Sequence, residues 1–115
     1  MLEERIGDDD DVAIAAITAA ELLVGVELAD RRRRDRRESY VKAVLETISI
    51  ERYDLAVARA HAGLLAHVRR SGSPKGAHDL IIAATALACD REVVSTDADA
   101  FADMPGIVLR PVWRP

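Results

Sequence analysis

Short apolar runs alternate with longer amphipathic stretches along the chain, and this alternation is its clearest pattern. Residues 12–17 are apolar without interruption, which suits a strand that is buried on both faces. Shorter runs that favour strands occur at residues 47–50, 92–95 and 107–109. The stretches between them have helical periodicity. This order predicts an α/β fold of three layers, in which helices flank a central, mostly parallel sheet.

Four helices are predicted from the amphipathic stretches. They cover residues 18–30, 33–46, 54–70 and 79–89. Thr18 and Asp54 are suitable N-cap residues for the first and third helices. The positions predicted to face the core are Glu21, Val24, Gly25 and Leu28 in the first helix and Tyr40, Val41, Val44 and Leu45 in the second.

The composition of the chain is typical of a small globular protein. With 115 residues it is predicted to be a single domain, and half of its residues are apolar, which is enough for a core. Its single cysteine, Cys89, excludes a disulfide within the chain and fits a reducing compartment. No apolar run reaches the roughly 18–20 residues that span a membrane, and the acidic N-terminus does not resemble a secretory signal. We therefore expect a cytoplasmic protein with no membrane partner.

The charged residues are distributed unevenly. The formal net charge of −4 argues against a protein that binds nucleic acid through bulk positive charge. Residues 31–37 nevertheless contain six arginines, and residues 8–11 are all aspartates. The arginine cluster is typical of a solvated helix start, but it could also contact phosphates. The candidates for such contacts are Arg31, Arg32, Arg33 and Arg34.

Asp79 is a single carboxylate at the head of an otherwise apolar helix. It shares a face with Ile82, Ala83 and Ala86, which should face the core. A half-buried carboxylate is costly unless something compensates its charge, and a metal cation is one such partner. A favourable position at the start of the helix dipole is the simpler explanation.

Three further carboxylates follow predicted strands. Glu21 comes after the first strand, whereas Asp97 and Asp99 come after residues 92–95. The carboxyl ends of parallel strands meet at one edge of a sheet, so we expect these acids and Asp79 to converge there. Converging carboxylates repel one another, and a hard cation such as Mg²⁺ or Mn²⁺ relieves that repulsion. This set suits metal-assisted hydrolysis of a phosphodiester. Ordinary turn residues are the alternative for the last two acids.

Four blocks of sequence carry a resemblance to a known family. Residues 17–25 have the pattern Thr-x-x-Glu-x-x-x-Gly after an apolar strand, and residues 79–86 read Asp-Leu-Ile-Ile-Ala-Ala-Thr-Ala. A Ser-Thr-Asp sequence with a nearby phenylalanine follows at 95–101, and Pro-Gly-Ile-Val closes the series at 105–108. In these blocks the chain resembles the PIN-domain ribonucleases, specifically the VapC-type toxins of bacterial toxin–antitoxin pairs. The likeness extends over nearly the whole chain.

The resemblance implies an endoribonuclease that depends on Mg²⁺ or Mn²⁺. Glu21, Asp79 and Asp97 would be its catalytic and metal-binding residues, with Asp99 in support. The implied partners are a cognate antitoxin that holds the enzyme inactive, an RNA substrate and a second copy of the chain in a homodimer. The arginine cluster lies in the helical pair that such toxins use for contacts with RNA, antitoxin or a second subunit, and these alternatives stay open.

One departure from the family pattern concerns the N-terminus. The family begins with a strand that ends in an aspartate metal ligand, and no such strand precedes Glu21. Residues 1–7 instead look like the tail of a helix. We therefore expect a single, N-terminally incomplete PIN-like domain over residues 1–115, with weak metal binding, poor RNA cleavage and a tendency to self-associate. The competing hypothesis is a non-catalytic PIN-like module that binds an antitoxin or a like subunit. RNA binding through the arginines alone is a third.

Overall fold

The structure, a computed structural model, describes residues 10–112. Its elements in chain order are β1 (Ala13–Ala15), α1 (Ala16–Leu28), α2 (Arg34–Thr47), β2 (Ser49–Glu51), α3 (Leu55–Ser71), α4 (Ala77–Ala88), β3 (Val93–Ser95), a 3₁₀ helix (Ala98–Phe101) and β4 (Leu109–Pro111). The strands pair in parallel and alternate with helices, which confirms the predicted α/β class. The helical tail predicted for residues 1–7 lies outside the described residues. In the described part of the chain, no helix is long and apolar enough to cross a membrane.

The described chain divides into two compact units. The N-terminal unit consists of residues 11–52, and the C-terminal unit consists of Asp10 and residues 53–112. Each unit contains one parallel strand pair, β1 with β2 in the first and β3 with β4 in the second. That residues 1–115 form one domain stays a prediction.

In the N-terminal unit, β1 passes directly into α1. β1 lies parallel to β2, with Ala13 opposite Ser49. The helix begins at Ala16, and its N-cap residue, Ala15, makes no side-chain hydrogen bond. The prediction of Thr18 as the N-cap is therefore wrong, because the apolar run is a strand only in its first part and then supplies the first turn of the helix.

The buried face of α1 differs from the predicted one. Ala19 and Val26 are buried, whereas Glu21 is exposed and Val24 and Leu28 are 51% and 81% exposed. Apolar side chains surround this helix on nearly all sides, so their spacing does not single out one face. The small and β-branched side chains that are buried let α1 pack against α2.

The predicted inward face of α2 is confirmed in three of four positions. Val41 is 3% exposed, and Val44 and Leu45 are half-buried. Tyr40 is the exception, since it is 65% exposed.

In the C-terminal unit, α3 and α4 pack against each other and form most of the core. The buried residues of this core are Val57, Leu64, Leu80, Ala83, Ala84, Ala86, Val93, Phe101 and Met104. α3 begins as predicted, because the Asp54 side chain accepts a 3.1 Å hydrogen bond from the backbone N–H of Val57. Gly72 closes the helix with a φ of 71°, a left-handed conformation that favours glycine. β3 lies parallel to β4, which begins at Leu109 and not at residue 107.

α4 ends in a Schellman motif. The backbone N–H of Asp90 donates to the Leu87 carbonyl over 3.4 Å, and that of Arg91 donates to the Ala86 carbonyl over 2.8 Å. Asp90 consequently has a φ of 54°, in the left-handed region that glycine adopts more readily than aspartate.

Candidate functional site

Asp79 lies in the first turn of α4 and is half-buried. Ala83 and Ala86, further along the same face, are buried, as the sequence pattern predicts. The carboxylate is packed against Gly76, the residue that precedes the helix. A β-carbon on Gly76 would lie 2.8 Å from Oδ2 of Asp79, which is closer than real β-carbons approach. Glycine at this position therefore leaves the space that the carboxylate occupies.

The small side chains of α4 allow it to pack closely against the neighbouring elements. Small side chains at Ala83 and Ala84 are fully buried, which lets the helix pack closely against α3, β3 and the 3₁₀ helix. The buried hydroxyl of Thr85 donates to the Ile81 carbonyl over 2.7 Å, so this polar group is satisfied within the helix. Asp79 thus belongs to the same packed unit as the segment that follows β3.

Asp97 and Asp99 lie directly after β3. The hydroxyl of Ser95 accepts a 3.0 Å hydrogen bond from the backbone N–H of Asp97. Oδ1 of Asp97 in turn accepts from the N–H of Ala100 over 3.2 Å and caps the 3₁₀ helix. Phe101, which is 7% exposed, anchors this turn in the core. Both aspartates are exposed on a hydrogen-bonded turn.

Lys75 connects the two acidic segments of the C-terminal unit. Its Nζ donates a 3.0 Å hydrogen bond to the backbone carbonyl of Asp99, 24 residues away in the chain. Lys75 is half-buried and directly precedes Gly76, against which Asp79 packs. The Lys75–Gly76 pair therefore ties the start of α4 to the turn that carries Asp97.

The donor atoms of this unit suit a divalent cation. Asp79, Asp97 and Asp99 offer carboxylate oxygens, which hard cations such as Mg²⁺ and Mn²⁺ prefer. Within residues 10–112, no group of three His, Cys, Asp or Glu side chains is already close enough together to hold a metal ion. The structure places these three acids in the C-terminal unit and Glu21 in the N-terminal unit.

Glu21 lies on α1, where it lines a groove of about 820 Å³. Side chains that share this groove are Arg32, Arg33, Arg36, Arg37 and Tyr40. All of them belong to the N-terminal unit. We refer to it as the arginine groove.

Of the four arginines predicted to contact RNA, two line the arginine groove and two do not. Arg31 and Arg34 are not among the lining residues, and Arg34 forms a 3.5 Å ion pair with Glu27. Arg36 and Arg37 line the groove instead. Arg36 is four residues after Arg32, and Arg37 is four residues after Arg33, a spacing of about one helical turn.

Arg37 packs against α1 at Gly25. A β-carbon on Gly25 would lie 3.3 Å from Nη1 of Arg37, so the guanidinium approaches the backbone of the helix closely. Gly25 is one turn after Glu21 on α1. The glycine of the Glu-x-x-x-Gly block thus accommodates an arginine that lines the groove.

Sequence patterns did not single out Lys75, Gly76 or Tyr40 as functional residues. A glycine immediately before a helix that opens with an acid is a usable signal, because it leaves space beside the carboxylate. The Lys75 hydrogen bond joins residues that are far apart in the chain, so it leaves no local signal.

Comparison with known proteins identifies the family. The PIN domain family matches residues 2–107. This chain belongs to the PIN-domain family. VapBC-5 from Mycobacterium tuberculosis, a member of the VapBC family of toxin–antitoxin systems, is 31% identical, with a TM-score of 0.77 over 88% of this chain and 82% of that chain. DNA-bound VapBC from Salmonella typhimurium is 28% identical, with a TM-score of 0.79 over 84% and 72% of the two chains.

These similarities confirm the predicted resemblance to VapC-type PIN-domain toxins. VapBC-1 from nontypeable Haemophilus influenzae is 17% identical, with a TM-score of 0.83 over 93% of this chain and 78% of that chain, and shows the fold alone. No curated protein sequence matches the chain. PIN domains are typically nucleases, which directs attention to the carboxylates of the C-terminal unit.

Proposed function

We propose that this PIN-domain protein is an endoribonuclease toxin that depends on Mg²⁺ or Mn²⁺ and is neutralised by a cognate antitoxin. Membership of the PIN family supports nuclease chemistry, and the similarity to VapBC structures supports an antitoxin partner. The half-buried carboxylate of Asp79 at the start of α4 carries the proposal. Such a carboxylate is costly unless its charge is compensated, and a divalent cation would compensate it.

The acidic residues have separate roles in this proposal. Asp79 and Asp97 would hold the cation, with Asp99 in support, and Glu21 of the N-terminal unit stays a predicted catalytic residue. When bound, the cation supplies Lewis-acid activation of the phosphate and of water. Oδ1 of Asp97 accepts the N–H of Ala100, which orients the carboxylate and leaves Oδ2 for a ligand. The proposed substrate is a structured RNA such as transfer RNA.

The surface of α1 supports a protein partner. Leu23, Val24 and Leu28 are 48%, 51% and 81% exposed along this helix. Clustered exposed apolar side chains are typical of surfaces that another protein covers. We propose the antitoxin, or a second copy of the chain in a homodimer, as that partner. The same observation favours a second candidate function, a PIN-like module that binds its partner without cleaving RNA.

Metal titration and RNA cleavage test the proposal together. Mn²⁺ binding is measured by calorimetry and cleavage of transfer RNA by gel, for the wild-type chain and for Asp79→Asn. We expect weak but saturable binding and slow metal-dependent cleavage in the wild-type chain, and the loss of both in the variant. Asp103→Asn is the matched control, because Asp103 is an exposed aspartate of the same unit and asparagine tolerates its φ of 64°. Cleavage that persists in Asp79→Asn or in EDTA would contradict the proposal.

A further inference from the structure

The arginine groove is a cationic site in a chain whose formal net charge is −4. Four arginines line it, together with two acids, Glu21 and Asp30. Oδ1 of Asp30 accepts a 3.0 Å hydrogen bond from the backbone N–H of Arg33. Positive groups thus exceed negative ones along the groove, and the excess is local to the connection between α1 and α2 and the first turn of α2.

The lining arginines are available to a ligand. Among residues 10–112, the side chains of the four arginines form no ion pair or hydrogen bond, whereas Arg34 outside the groove pairs with Glu27. Guanidinium groups of like charge that share one groove repel one another, and bound phosphates relieve that repulsion. Guanidinium groups also match phosphate geometry, since their fork of N–H donors binds two oxygens at once.

Tyr40 gives the groove an exposed aromatic ring in addition to its positive charge. It lines the same groove on α2, and 65% of its surface is exposed. A cationic groove with an exposed aromatic ring is the arrangement with which proteins bind single-stranded nucleic acid, because bases stack on the ring while the backbone follows the charge. An acidic peptide would satisfy the arginines but would leave the ring without a role.

We propose that the arginine groove binds a single-stranded segment of RNA, with phosphates on the four lining arginines and a base stacked on Tyr40. This inference rests on the proposed function, in which Glu21 is a predicted catalytic residue, and Glu21 lines the same groove. Paired RNA is a poorer ligand, because its bases are stacked within the helix and do not reach an aromatic side chain. The groove therefore selects unpaired stretches of a structured substrate, such as loops.

The test measures binding apart from cleavage. Fluorescein-labelled oligouridylate, which is unstructured, is titrated by anisotropy in EDTA with chains that carry Asp79→Asn. The double variant Arg36→Gln/Arg37→Gln is compared with Arg69→Gln/Arg70→Gln, an exposed arginine pair of α3 with the same change in charge. We expect the groove variant to bind about tenfold more weakly and to lower the slope of log affinity against log salt by about 0.7 per arginine. The control pair should change affinity by less than about twofold.

Tyr40 variants separate RNA from an acidic protein partner. We expect Tyr40→Ala to weaken oligouridylate binding about tenfold and Tyr40→Phe to bind like the parent chain, because stacking needs the ring and not the hydroxyl. Equal effects of the two arginine pairs would overturn the proposal. Polyglutamate as a competitor provides a second test. If polyglutamate displaces the labelled RNA as well as unlabelled oligouridylate does, and if Tyr40→Ala does not change its affinity, the groove binds an acidic peptide and the proposal is overturned. If the chain binds oligouridylate in the groove but shows no metal-dependent cleavage, only the proposed function is contradicted. If it cleaves RNA but the groove variants bind oligouridylate normally, only the role of the groove is contradicted.

Discussion

The carboxylate of Asp79 occupies the space that a side chain on Gly76 would need, with Oδ2 only 2.8 Å from the position of a β-carbon there. The backbone of Gly76 is extended, with φ −61° and ψ 139°, so any residue could adopt this conformation. The glycine is therefore required for space and not for flexibility. This distinction lets a substitution change the position of the acid without straining the chain.

Gly76→Ala is expected to displace the Asp79 carboxylate while leaving the fold intact. The methyl group would collide with Oδ2, and the short aspartate side chain must rotate away. Because alanine fits the backbone and restricts the unfolded chain, we expect the free energy of unfolding to change by less than about 1 kcal/mol. Mn²⁺ affinity and RNA cleavage should each fall about 10- to 100-fold, as expected when the group that orients a metal ligand is altered. Calorimetry, a cleavage assay and urea denaturation measure the three quantities.

Gly63→Ala is the matched control for this substitution. Gly63 lies within α3, and a β-carbon there meets no atom within 4 Å. Alanine in a helix interior is favoured over glycine by about 1 kcal/mol, so this variant should be more stable and equally active. If Gly76→Ala binds Mn²⁺ as tightly as Gly63→Ala does, the space beside Asp79 has no role in the site.

Lys75→Met is expected to loosen the acidic turn locally. The substitution keeps the length of the side chain but removes the 3.0 Å hydrogen bond from Nζ to the Asp99 carbonyl. We expect the amides of Asp99 and Ala100 to exchange faster with solvent and RNA cleavage to fall, because Asp97 is then held less firmly. The free energy of unfolding should fall by about 0.5–1.5 kcal/mol.

Lys75→Arg supplies the comparison, since it can donate to the same carbonyl and should restore much of the protection. Hydrogen exchange measured by mass spectrometry locates the effect. A uniform increase in exchange that includes the interior of α3 would mean that Lys75 stabilises the whole unit and does not position the turn.

Features that depend on residues close together in the sequence could be predicted. The start of α3 could be predicted because Asp54 and Val57 are three residues apart and the capping hydrogen bond needs nothing else. The half-buried position of Asp79 could be predicted because Asp79 shares a helix face with Ala83 and Ala86, both of which are buried. Both inferences rest on contacts within one helix turn or one helix face.

Other parts of the structure depend on which elements pack together. The inward face of α1 could not be chosen from sequence, because apolar residues occur around the whole helix and only its packing selects Ala19 and Val26. Likewise, nothing near Lys75 in the sequence indicates its hydrogen bond to the Asp99 carbonyl. The division of the arginine cluster into lining and non-lining residues follows from the position of α2 against α1.

Asp90→Gly is expected to stabilise the protein. Asp90 has a φ of 54° at the end of α4, where glycine avoids steric strain. Its negative charge also lies at the negative end of the helix dipole. We expect an increase of about 0.5–1 kcal/mol in the free energy of unfolding, measured by urea denaturation. Asp90→Asn removes only the charge and should give about 0.3 kcal/mol. An unchanged or lower stability of the glycine variant would contradict this explanation of the Schellman motif.

Arg110 joins two carboxylates of the C-terminal unit. Its Nη1 lies 2.9 Å from Oδ2 of Asp10, and its Nη2 lies 2.6 Å from Oε2 of Glu92. The hydrogen bond with Asp10, followed by the charges of Glu92 and Asp10, raises the pKa of the Arg110 guanidinium above its usual range. A raised pKa in a cationic group means that its stabilising contribution is complete below the ordinary pKa and is lost only when the pH exceeds the raised value.

Arg110→Met should therefore lower the melting temperature by the same amount throughout about pH 6 to 9, because the guanidinium stays charged over this whole range. Arg110→Lys should give an intermediate melting temperature, since a single ammonium group cannot bind Asp10 and Glu92 in the way that the two nitrogens of the guanidinium do. Thermal unfolding followed by circular dichroism at several pH values in this range measures both effects. A gap between the wild-type chain and Arg110→Met that narrows as the pH rises would show that a group other than Arg110 titrates, and that the ion pairs do not have the role assigned to them.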